Sequence, residues 1–317
     1  MSEPLPPPEG FAIGHWTDER AETGCTVILP PAGSACGVDV RGGGPGSRET
    51  EIISPLANAQ EATAVLFTGG SAYGLAAADG VVRWCEEQGR GYLTPGGLVP
   101  LVPAAVIYDL IAGDGSVRPG PDQGYEACES ARGGVPARGR LGAGAGAAVA
   151  KAMGREGSTP GGVGYAATAL GSGETVAAIA VVNATGDVID ADGTALAEPR
   201  GPDGKRRRSA ELVASFRGKP EWAQGEPRES TTLVSVLTDA PLDKLAANKV
   251  ARMASAGIAR AVDPVYTPFD GDIVFCLAAG DGEPRPVDSW RVMTAGTLAA
   301  TVTAASIRDA IRSANPT

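Results

Sequence analysis

Short apolar runs, each bounded by turn-forming residues, recur along this chain and limit the folds that it can adopt. Three of them are residues 25–29, 64–68 and 175–182. Their length and their content of β-branched residues predict buried strands. Stretches with apolar residues at three-to-four spacing lie between and after these runs. The 317 residues show no repeat period, and no linker divides them into two parts. The pattern therefore predicts one domain, 1–317, of the α/β or α+β class, with sheets covered by helices.

The three-to-four spacing predicts helices over residues 71–87, 144–153, 242–262 and 288–312. Residues 183–190 follow a predicted strand, and their sequence predicts a hairpin turn and a return strand. Residues 198–229 carry prolines scattered among charges, which is typical of an exposed, mobile loop. The chain has 45 glycines and only 5% aromatic residues. This composition indicates layers that pack closely through their backbones.

The charge of the chain argues against some classes of partner. The formal net charge is -10 and the isoelectric point is near 4.8. Nucleic acid is not expected as a partner, because binding it depends on neutralising phosphates. The N-terminal residues lack the basic and apolar regions of a secretory signal, and no apolar stretch is long enough to span a membrane, so a cytoplasmic protein is expected. The five scattered cysteines are expected to be buried free thiols.

Two glycine-rich runs, residues 41–46 and 142–146, superficially match phosphate-binding loops. The first lacks the Walker spacing. The second lacks the preceding strand and the following acidic residue of a dinucleotide site. Close backbone packing is the better interpretation of both runs, and no cofactor is expected.

The junction at Thr231 is the first candidate for chemistry. A polar, proline-bearing stretch at residues 225–230 runs directly into Thr231 and then into the apolar run 233–238. A threonine at such a boundary is where a self-cleaving precursor would expose an N-terminal nucleophile. The single histidine, His15, would have to serve any Ser-His or Cys-His mechanism alone. A freed α-amine, with a pKa of about 7.7–8, can take the threonine proton without any histidine.

A pair of carboxylates is the second candidate. Asp270 and Asp272 flank a glycine immediately before the apolar run 273–277. Residues two apart in an extended chain face the same way, so both carboxylates could converge on one point. An Asp-Gly turn that opens a strand is the alternative interpretation.

Three more polar residues are ordinary when each is taken alone. Lys151 is then a surface charge, and Tyr108 and Asn183 are residues at strand boundaries. Seven segments of the chain, however, carry a shared resemblance in a consistent order: residues 40–50, 68–75, 103–110, 142–146, 181–187, 230–233 and 269–272. Together they closely resemble the family of L-aminopeptidase/D-esterases and β-aminopeptidases, and within it the nylon-oligomer hydrolases.

The resemblance implies a four-layer αββα sandwich of the N-terminal-nucleophile-hydrolase type. Members of this family mature by cleaving their own chain before a Ser or a Thr. The matching bond here is Ser230–Thr231, which would give fragments 1–230 and 231–317. Thr231 would then be the nucleophile, with its own α-amine as the base. Family members commonly have Asn or Gly before this bond, where this chain has Ser230.

The resemblance also assigns roles to the other polar residues. Tyr108 and Asn183 match positions that line the site and stabilise the oxyanion, where one polar group is typically worth roughly a few kcal/mol of barrier. Lys151, Asp270 and Asp272 match positions that orient and polarise the nucleophile in the nylon-oligomer hydrolases. Other members use a serine with a Ser/Glu pair, so a threonine with two aspartates points toward the nylon-oligomer type.

These observations predict a self-processed amide hydrolase that needs no cofactor. Its substrates would be small peptides, amino-acid amides or 6-aminohexanoate (nylon) oligomers, and water would resolve an acyl-enzyme. A related acyltransferase, similar to ornithine acetyltransferase, would instead pass the acyl group to an amine. An uncleaved binding protein on the same scaffold is the non-enzymatic alternative. The resemblance further implies a homo-oligomer, a tetramer of processed protomers, without a membrane or nucleic-acid partner.

Overall fold

The computed structural model describes residues 4–220, 230–280 and 288–316. In chain order, its strands are β1 (Ala12–Asp18), β2 (Thr23–Leu29), β3 (Ala35–Val40), β4 (Ser47–Arg48), β5 (Val65–Thr68), β6 (Tyr92–Thr94), β7 (Gly97–Val99), β8 (Ala104–Val106), β9 (Ala148–Val149), β10 (Thr159–Pro160), β11 (Gly162–Ala169), β12 (Thr175–Asn183), β13 (Asp187–Ile189), β14 (Ala195–Ala197), β15 (Thr231–Thr238), β16 (Val262–Asp263) and β17 (Ile273–Ala278). Its α-helices are α1 (Ala77–Glu87), α2 (Pro121–Glu129), α3 (Ser209–Ser215), α4 (Lys244–Ala259) and α5 (Ser289–Ala314).

Two five-stranded sheets form the centre of the fold. Sheet 1 has the order β1-β2-β5-β8-β4, and sheet 2 has the order β11-β12-β15-β17-β3. Neighbours in sheet 2 are antiparallel except β15 and β17, which run parallel. The same exception occurs in sheet 1, where β5 and β8 run parallel. The parallel pair in sheet 2 joins the central strand to the strand beside it.

The sheets pack face to face through one apolar layer. Alternate side chains of both sheets enter this layer, including Ile28 and Phe67 from sheet 1 and Ile179 and Phe275 from sheet 2. The rings of Phe67 and Phe275 meet with their centroids 6.1 Å apart. Alternation along each strand sends the intervening side chains to the opposite face of the same sheet. Each sheet therefore buries both of its faces.

Helices cover the two outer faces. Helices α1 and α2 pack on sheet 1 through small side chains such as Ala78 and Ala127. Helices α4 and α5 pack on sheet 2, where Ala251 and Ala299 belong to the same core as Val234 of β15. The architecture is thus the predicted αββα sandwich. Within the described ranges, no helix is long and apolar enough to cross a lipid bilayer.

Most elements predicted from the sequence are confirmed. The three apolar runs correspond to β2, β5 and β12. The predicted helix 71–87 begins as a 3-10 turn, Ser71–Ala76, that continues into α1, and the two later long helices correspond to α4 and α5. All five cysteines are buried free thiols, as expected.

The predicted helix over residues 144–153 is wrong. This stretch contains the short strand β9, and Ala150 has a left-handed backbone with φ of 58°. Its glycines lie against other backbones: a Cβ on Gly146 would stand 2.1 Å from the carbonyl oxygen of Glu22. In a regular helix, side chains would project on all sides and keep the two backbones apart. The close backbone contact therefore overrides the helix propensity of the alanines.

Two further predictions need correction. Strand β13 forms, but it pairs with β14 and β16 and does not return along β12. Because β11 and β15 already pair with β12, that strand has no free edge. The predicted loop 198–229 contains helix α3, and its residues 221–229 lie outside the described residues.

Gly164 of β11 illustrates how glycine sets the spacing between sheet 2 and α5. A Cβ at this position would lie 2.0 Å from the carbonyl oxygen of Ser306 in α5. Gly164→Ala should lower the free energy of unfolding by about 1–3 kcal/mol, because the helix and the sheet must separate to accept the methyl group. Urea denaturation measures this loss.

Gly171→Ala is the matched control for that experiment. Gly171 lies in the turn between β11 and β12, and no described heavy atom lies within 4 Å of the added carbon. Its free energy of unfolding should change by less than about 0.5 kcal/mol. Equal losses in the two variants would contradict the packing argument.

Candidate active site

Thr231 is the first residue of β15, the central strand of sheet 2. Its side chain is buried, with 4% of the residue exposed. On one side, the register of β12 places Asn183 opposite Thr231. On the other side, the register that pairs β15 with β17 also pairs Ser230 with Asp270, just before the two strands begin. The register therefore puts Gly271 beside Thr231.

The site lies at one end of the layer between the two sheets. Leu233, two residues after Thr231, belongs to the inter-sheet core, and Val181, two residues before Asn183, belongs to the same core. Side chains alternate along a strand, so Thr231 and Asn183 face the same layer. Tyr108 follows β8 of sheet 1 and meets Asn183 across this layer, as described below.

Two main-chain hydrogen bonds tie Ser230 to the segment before β17. The Ser230 amide donates to the carbonyl oxygen of Phe269 at 3.0 Å, and the Ser230 carbonyl oxygen accepts from the Gly271 amide at 2.6 Å. The Thr231 hydroxyl donates to the same carbonyl oxygen at 2.6 Å. Ser230 is only 2% exposed. The hydroxyl of Thr231 is thus fixed next to the carbonyl group that precedes it, away from bulk water.

The two aspartates are both 2% exposed and accept from different main-chain amides. The carboxylate of Asp270 accepts from the Thr267 amide at 2.8 Å, in the turn before β17. The carboxylate of Asp272 accepts from the Thr232 amide at 2.6 Å. One carboxylate therefore closes the turn, and the other binds the strand immediately after Thr231.

The proton affinity of Asp272 differs from that of an ordinary aspartate. Burial raises the pKa of Asp272 because it penalises the charged form, and the charge of Asp270 raises it further. The hydrogen bond from the Thr232 amide acts in the opposite direction. A buried carboxyl whose pKa is raised by desolvation and a like charge is typical of groups that exchange protons during a reaction.

The first glycine-rich run, residues 41–46, binds the main-chain carbonyl oxygens of the two aspartates. The Arg41 amide donates to the Asp272 carbonyl oxygen at 2.9 Å, and the Gly44 amide donates to the Asp270 carbonyl oxygen at 2.9 Å. A Cβ on Gly42 would stand 2.0 Å from the Asp270 carbonyl oxygen. This is the close backbone packing that the sequence predicts for the run.

Lys151, Asn183 and Tyr108 form one connected group. The Lys151 ammonium donates to the main-chain and side-chain oxygens of Asn183, at 2.8 and 3.0 Å. The Asn183 side-chain oxygen also accepts from the Ala148 amide at 3.0 Å, and its nitrogen donates to the Tyr108 carbonyl oxygen at 3.2 Å. The structure therefore brings these three predicted residues together beside the strand position of Thr231. Tyr108 joins this network through its main chain.

Two residues of this region were not found by sequence reasoning. Gly271 contributes a main-chain amide, which leaves no signal in a side-chain pattern. Asp109 is a buried carboxylate that accepts from the Thr23 hydroxyl at 2.7 Å and the Gly70 amide at 2.6 Å, and burial raises its pKa. It ties the segment that carries Tyr108 to the loop after β5. An acidic residue shortly after the end of a buried strand was the available signal.

His15 lies in β1, at the edge of sheet 1. Its Nδ1 is 2.9 Å from the Thr26 hydroxyl. Burial lowers the pKa of His15 to about 4, so the ring is neutral at physiological pH. The groups placed around Thr231 are instead a hydroxyl, carboxylates, an ammonium and main-chain amides. This set can carry out nucleophilic substitution at a carbonyl carbon.

Two kinds of relative resemble the chain over 86% of its length. An uncharacterized aminopeptidase of Mycobacterium tuberculosis (strain ATCC 25618 / H37Rv) is 43% identical over 283 residues, which cover 80% of that protein. A 6-aminohexanoate-oligomer endohydrolase of Agromyces sp. (strain KY5R) is 30% identical over 280 residues, which cover 74% of that protein.

Solved structures share the fold. The L-aminopeptidase D-Ala-esterase/amidase from Ochrobactrum anthropi, described as a variant of the Ntn-hydrolase fold, has a TM-score of 0.69 and 20% identity, with 97% of this chain and 85% of that chain covered. A β-aminopeptidase from Burkholderia sp. has a TM-score of 0.65 and 22% identity, with coverages of 95% and 84%. The predicted N-terminal-nucleophile-hydrolase fold is thereby confirmed.

The family predicted from the sequence motifs is also confirmed. The model of peptidase family S58 matches residues 9–317, nearly the whole chain. The aminopeptidase and endohydrolase relatives agree with this match. The protein is therefore a hydrolase that acts on peptide or amide bonds, and the chain belongs to peptidase family S58.

Proposed function

We propose that the chain cleaves its own Ser230–Thr231 bond and that the freed Thr231 is the nucleophile of the resulting amide hydrolase. One observation carries this proposal. The Thr231 hydroxyl and the Gly271 amide both lie 2.6 Å from the Ser230 carbonyl oxygen. The hydroxyl of the proposed nucleophile and an amide donor thus both lie within hydrogen-bond distance of the oxygen of the carbonyl group that would react.

Self-cleavage begins when the Thr231 Oγ attacks the Ser230 carbonyl carbon. The π electrons of the carbonyl move to its oxygen, and the hydroxyl proton passes to a base. When the oxyanion collapses, the carbon–nitrogen bond breaks and the Thr231 nitrogen takes up a proton. This leaves an ester between the Ser230 carbonyl and the Thr231 Oγ. Water hydrolyses the ester to a Ser230 carboxylate and a free Thr231 with its hydroxyl and α-amine.

The base for the first step cannot be the α-amine, because that nitrogen is still part of a peptide bond. Asp272 fits this role. Its carboxylate binds the amide of the next residue, Thr232, and its raised pKa brings it closer to the working range of a general base. Once the bond is cleaved, the new α-amine, with a pKa of about 7.7–8 in the absence of perturbation, takes over as the base.

In each later turnover, Thr231 forms an acyl-enzyme with the substrate, and water resolves it. Lys151 fixes Asn183 through two hydrogen bonds, and Asn183 in turn holds the Tyr108 segment. This group shapes the space into which Thr231 faces. We propose that this group positions the acyl group of the substrate beside Thr231.

The substrates we propose are small peptides, amino-acid amides or 6-aminohexanoate oligomers. The aminopeptidase relatives, at 43% identity, support the first. The endohydrolase relative, at 30% identity, supports the third. The burial of Thr231 favours short, unfolded substrates over folded proteins, because a folded surface cannot reach a buried hydroxyl. We also propose that the processed protomers assemble as a homo-oligomer in the cytoplasm.

The first test is processing at Thr231. The expressed chain should separate into fragments 1–230 and 231–317, with the smaller one beginning Thr-Thr-Leu, as read by intact mass and N-terminal sequencing. Thr231→Ala should remain uncleaved because it lacks the attacking oxygen. Thr231→Ser should retain some cleavage because it keeps that oxygen.

Thr232→Val is the control for the register of the site. It removes the neighbouring hydroxyl with little change in shape, and it should still be processed. Full-length protein alone after prolonged incubation of the parent chain, or a new terminus elsewhere, would contradict the proposed cleavage.

The second test concerns the acid pair. The rate of self-cleavage in freshly translated chain should rise with pH as Asp272 ionises, and this rise should lie above the pH range of an ordinary aspartate because the pKa is raised. Asp272→Asn should be at least about tenfold slower, or roughly 1.4 kcal/mol in barrier, and should lose the rise. Asp270→Asn removes the neighbouring charge and should move the rise to lower pH.

The midpoint of thermal unfolding should remain near the parental value in both variants. A pH profile that neither substitution changes would exclude the acid pair from the cleavage mechanism.

The third test is the fate of the acyl group. Processed enzyme should be incubated with short amides in ¹⁸O-labelled water, with and without an added amine acceptor. Hydrolysis should place one ¹⁸O atom in the carboxylate product, which mass spectrometry detects. If a new amide with the acceptor predominates, the enzyme is an acyltransferase. If neither product forms from a processed chain, the catalytic proposal fails.

A further inference from the structure

The shortest main-chain contact of the candidate site connects Gly271 with the bond that is proposed to break. The Gly271 amide lies 2.6 Å from the Ser230 carbonyl oxygen. We infer that this amide is the oxyanion donor for self-cleavage, and that it then binds the acyl oxygen of each substrate at the same place. The inference rests on the proposed function and assigns a catalytic group within it.

The chemistry requires a donor at this position. As the Thr231 Oγ attacks, the carbonyl π electrons collect on the Ser230 oxygen, which becomes negatively charged. An amide already within hydrogen-bond distance stabilises this charge without rearrangement, and it does so more strongly in a buried site than in water. No proton leaves the Gly271 nitrogen, because the hydrogen bond only strengthens and then relaxes when the carbonyl re-forms.

The amide is pre-organised because both flanking residues are fixed. Before it, Asp270 binds the Thr267 amide through its carboxylate, and its carbonyl oxygen accepts from the Gly44 amide. After it, the Asp272 carboxylate binds the Thr232 amide. The two aspartates therefore aim the Gly271 N–H at Ser230 in addition to setting the local charge.

Asn183 was assigned by resemblance to oxyanion stabilisation, but its contacts here point elsewhere. Its side-chain oxygen accepts from Ala148 and Lys151. Its side-chain nitrogen donates to the Tyr108 carbonyl oxygen at 3.2 Å. In the uncleaved chain, Gly271 is therefore better placed than Asn183 to receive charge on the Ser230 oxygen.

The absence of a side chain at Gly271 is part of the arrangement. A Cβ at this position would lie 2.9 Å from the Thr231 Oγ and 2.9 Å from the Gly44 carbonyl oxygen. Any other residue would crowd the nucleophile or push the amide out of line. A glycine supplies the N–H and leaves space around the Thr231 hydroxyl for its attack on the carbonyl carbon.

The decisive experiment replaces the amide itself. Cell-free translation of the full chain with glycolic acid at position 271 exchanges the N–H for an ester oxygen and retains the size of glycine. Self-cleavage, followed by intact mass, should be slowed about 100-fold or more, as expected for loss of one oxyanion donor. Intact mass also distinguishes this cleavage from hydrolysis of the introduced backbone ester, which would give fragments 1–270 and 271–317.

The matched control is glycolic acid at position 44. An ester at 271 also weakens the Asp270 carbonyl as an acceptor, and the ester at 44 removes the donor to that carbonyl without touching Ser230. It should slow cleavage by less than about tenfold. Glycolic acid at the exposed Gly218 should leave the rate unchanged.

The outcomes separate the inference from the proposed function. If the parent chain cleaves and the 271 ester cleaves at the parental rate, Gly271 is not the donor, although the threonine mechanism stands. Equal slowing by the esters at 271 and 44 would show that the lower rate comes from a disturbed local structure and not from loss of the oxyanion donor. That result would overturn the inference. A parent chain that never cleaves would overturn the proposed function first.

Should the 271 ester fail to fold, a measurement on the unaltered backbone decides the matter. In uncleaved Thr231→Ala protein labelled with ¹⁵N, the Gly271 amide should exchange with deuterium far more slowly than the exposed Gly218 amide. Exchange as fast as that of Gly218 would show that the contact with Ser230 is absent in solution, and would overturn the inference.

Discussion

The parallel pairing of β15 with β17 is the constraint on which the site depends. A constant offset along the two strands places Ser230 against Asp270 and Leu233 against Ile273. Thr231 and Gly271 are then neighbours by register alone. A slip of one residue would turn Thr231 toward the helix-covered face of sheet 2 and replace the Gly271 amide with another group. The apolar side chains that follow on both strands prevent that slip, because it would exchange the two cores.

The four layers supply the rigidity that this register needs. Sheet 2 is buried on both faces, so its central strand is held by the inter-sheet core on one face and by α4 and α5 on the other. Glycine allows the layers to approach closely, as at Gly164 beneath α5 and at Gly42 against Asp270. The same residue type therefore sets the spacing of the whole sandwich and the clamp around the acid pair. The positions of the site residues are well defined because these residues lie at the ends of well-packed strands.

Sequence reasoning predicted the fold, which is confirmed, and a set of polar side chains that the structure places near Thr231. The limits of that reasoning have physical causes. Thr231 and the aspartates stand at the starts of apolar runs, so their position at strand ends is visible in a one-dimensional pattern. The helix prediction over residues 144–153 failed because Gly146 packs against a backbone more than a hundred residues away. The proximity of Lys151 to Asn183 came from family resemblance, since nothing in the local pattern links the two. Gly271 was missed because its contribution is a main-chain amide in a particular register.

Under the proposed mechanism, the two aspartates act in two chemically different states of the same site. Before the proposed cleavage, the Thr231 nitrogen is a neutral amide, and burial together with the charge of Asp270 raises the pKa of Asp272, which makes its carboxylate a stronger base. The proposed cleavage would convert that nitrogen to an amine that can carry a positive charge in the same buried space. A cation there would favour the ionised form of Asp272, and the carboxylate would in turn stabilise the ammonium. Under the mechanism proposed here, breaking the Ser230–Thr231 bond therefore also changes the general base. The Asp272 carboxylate accepts the Thr231 hydroxyl proton in the single self-cleavage event, and the new α-amine accepts it in each later turnover.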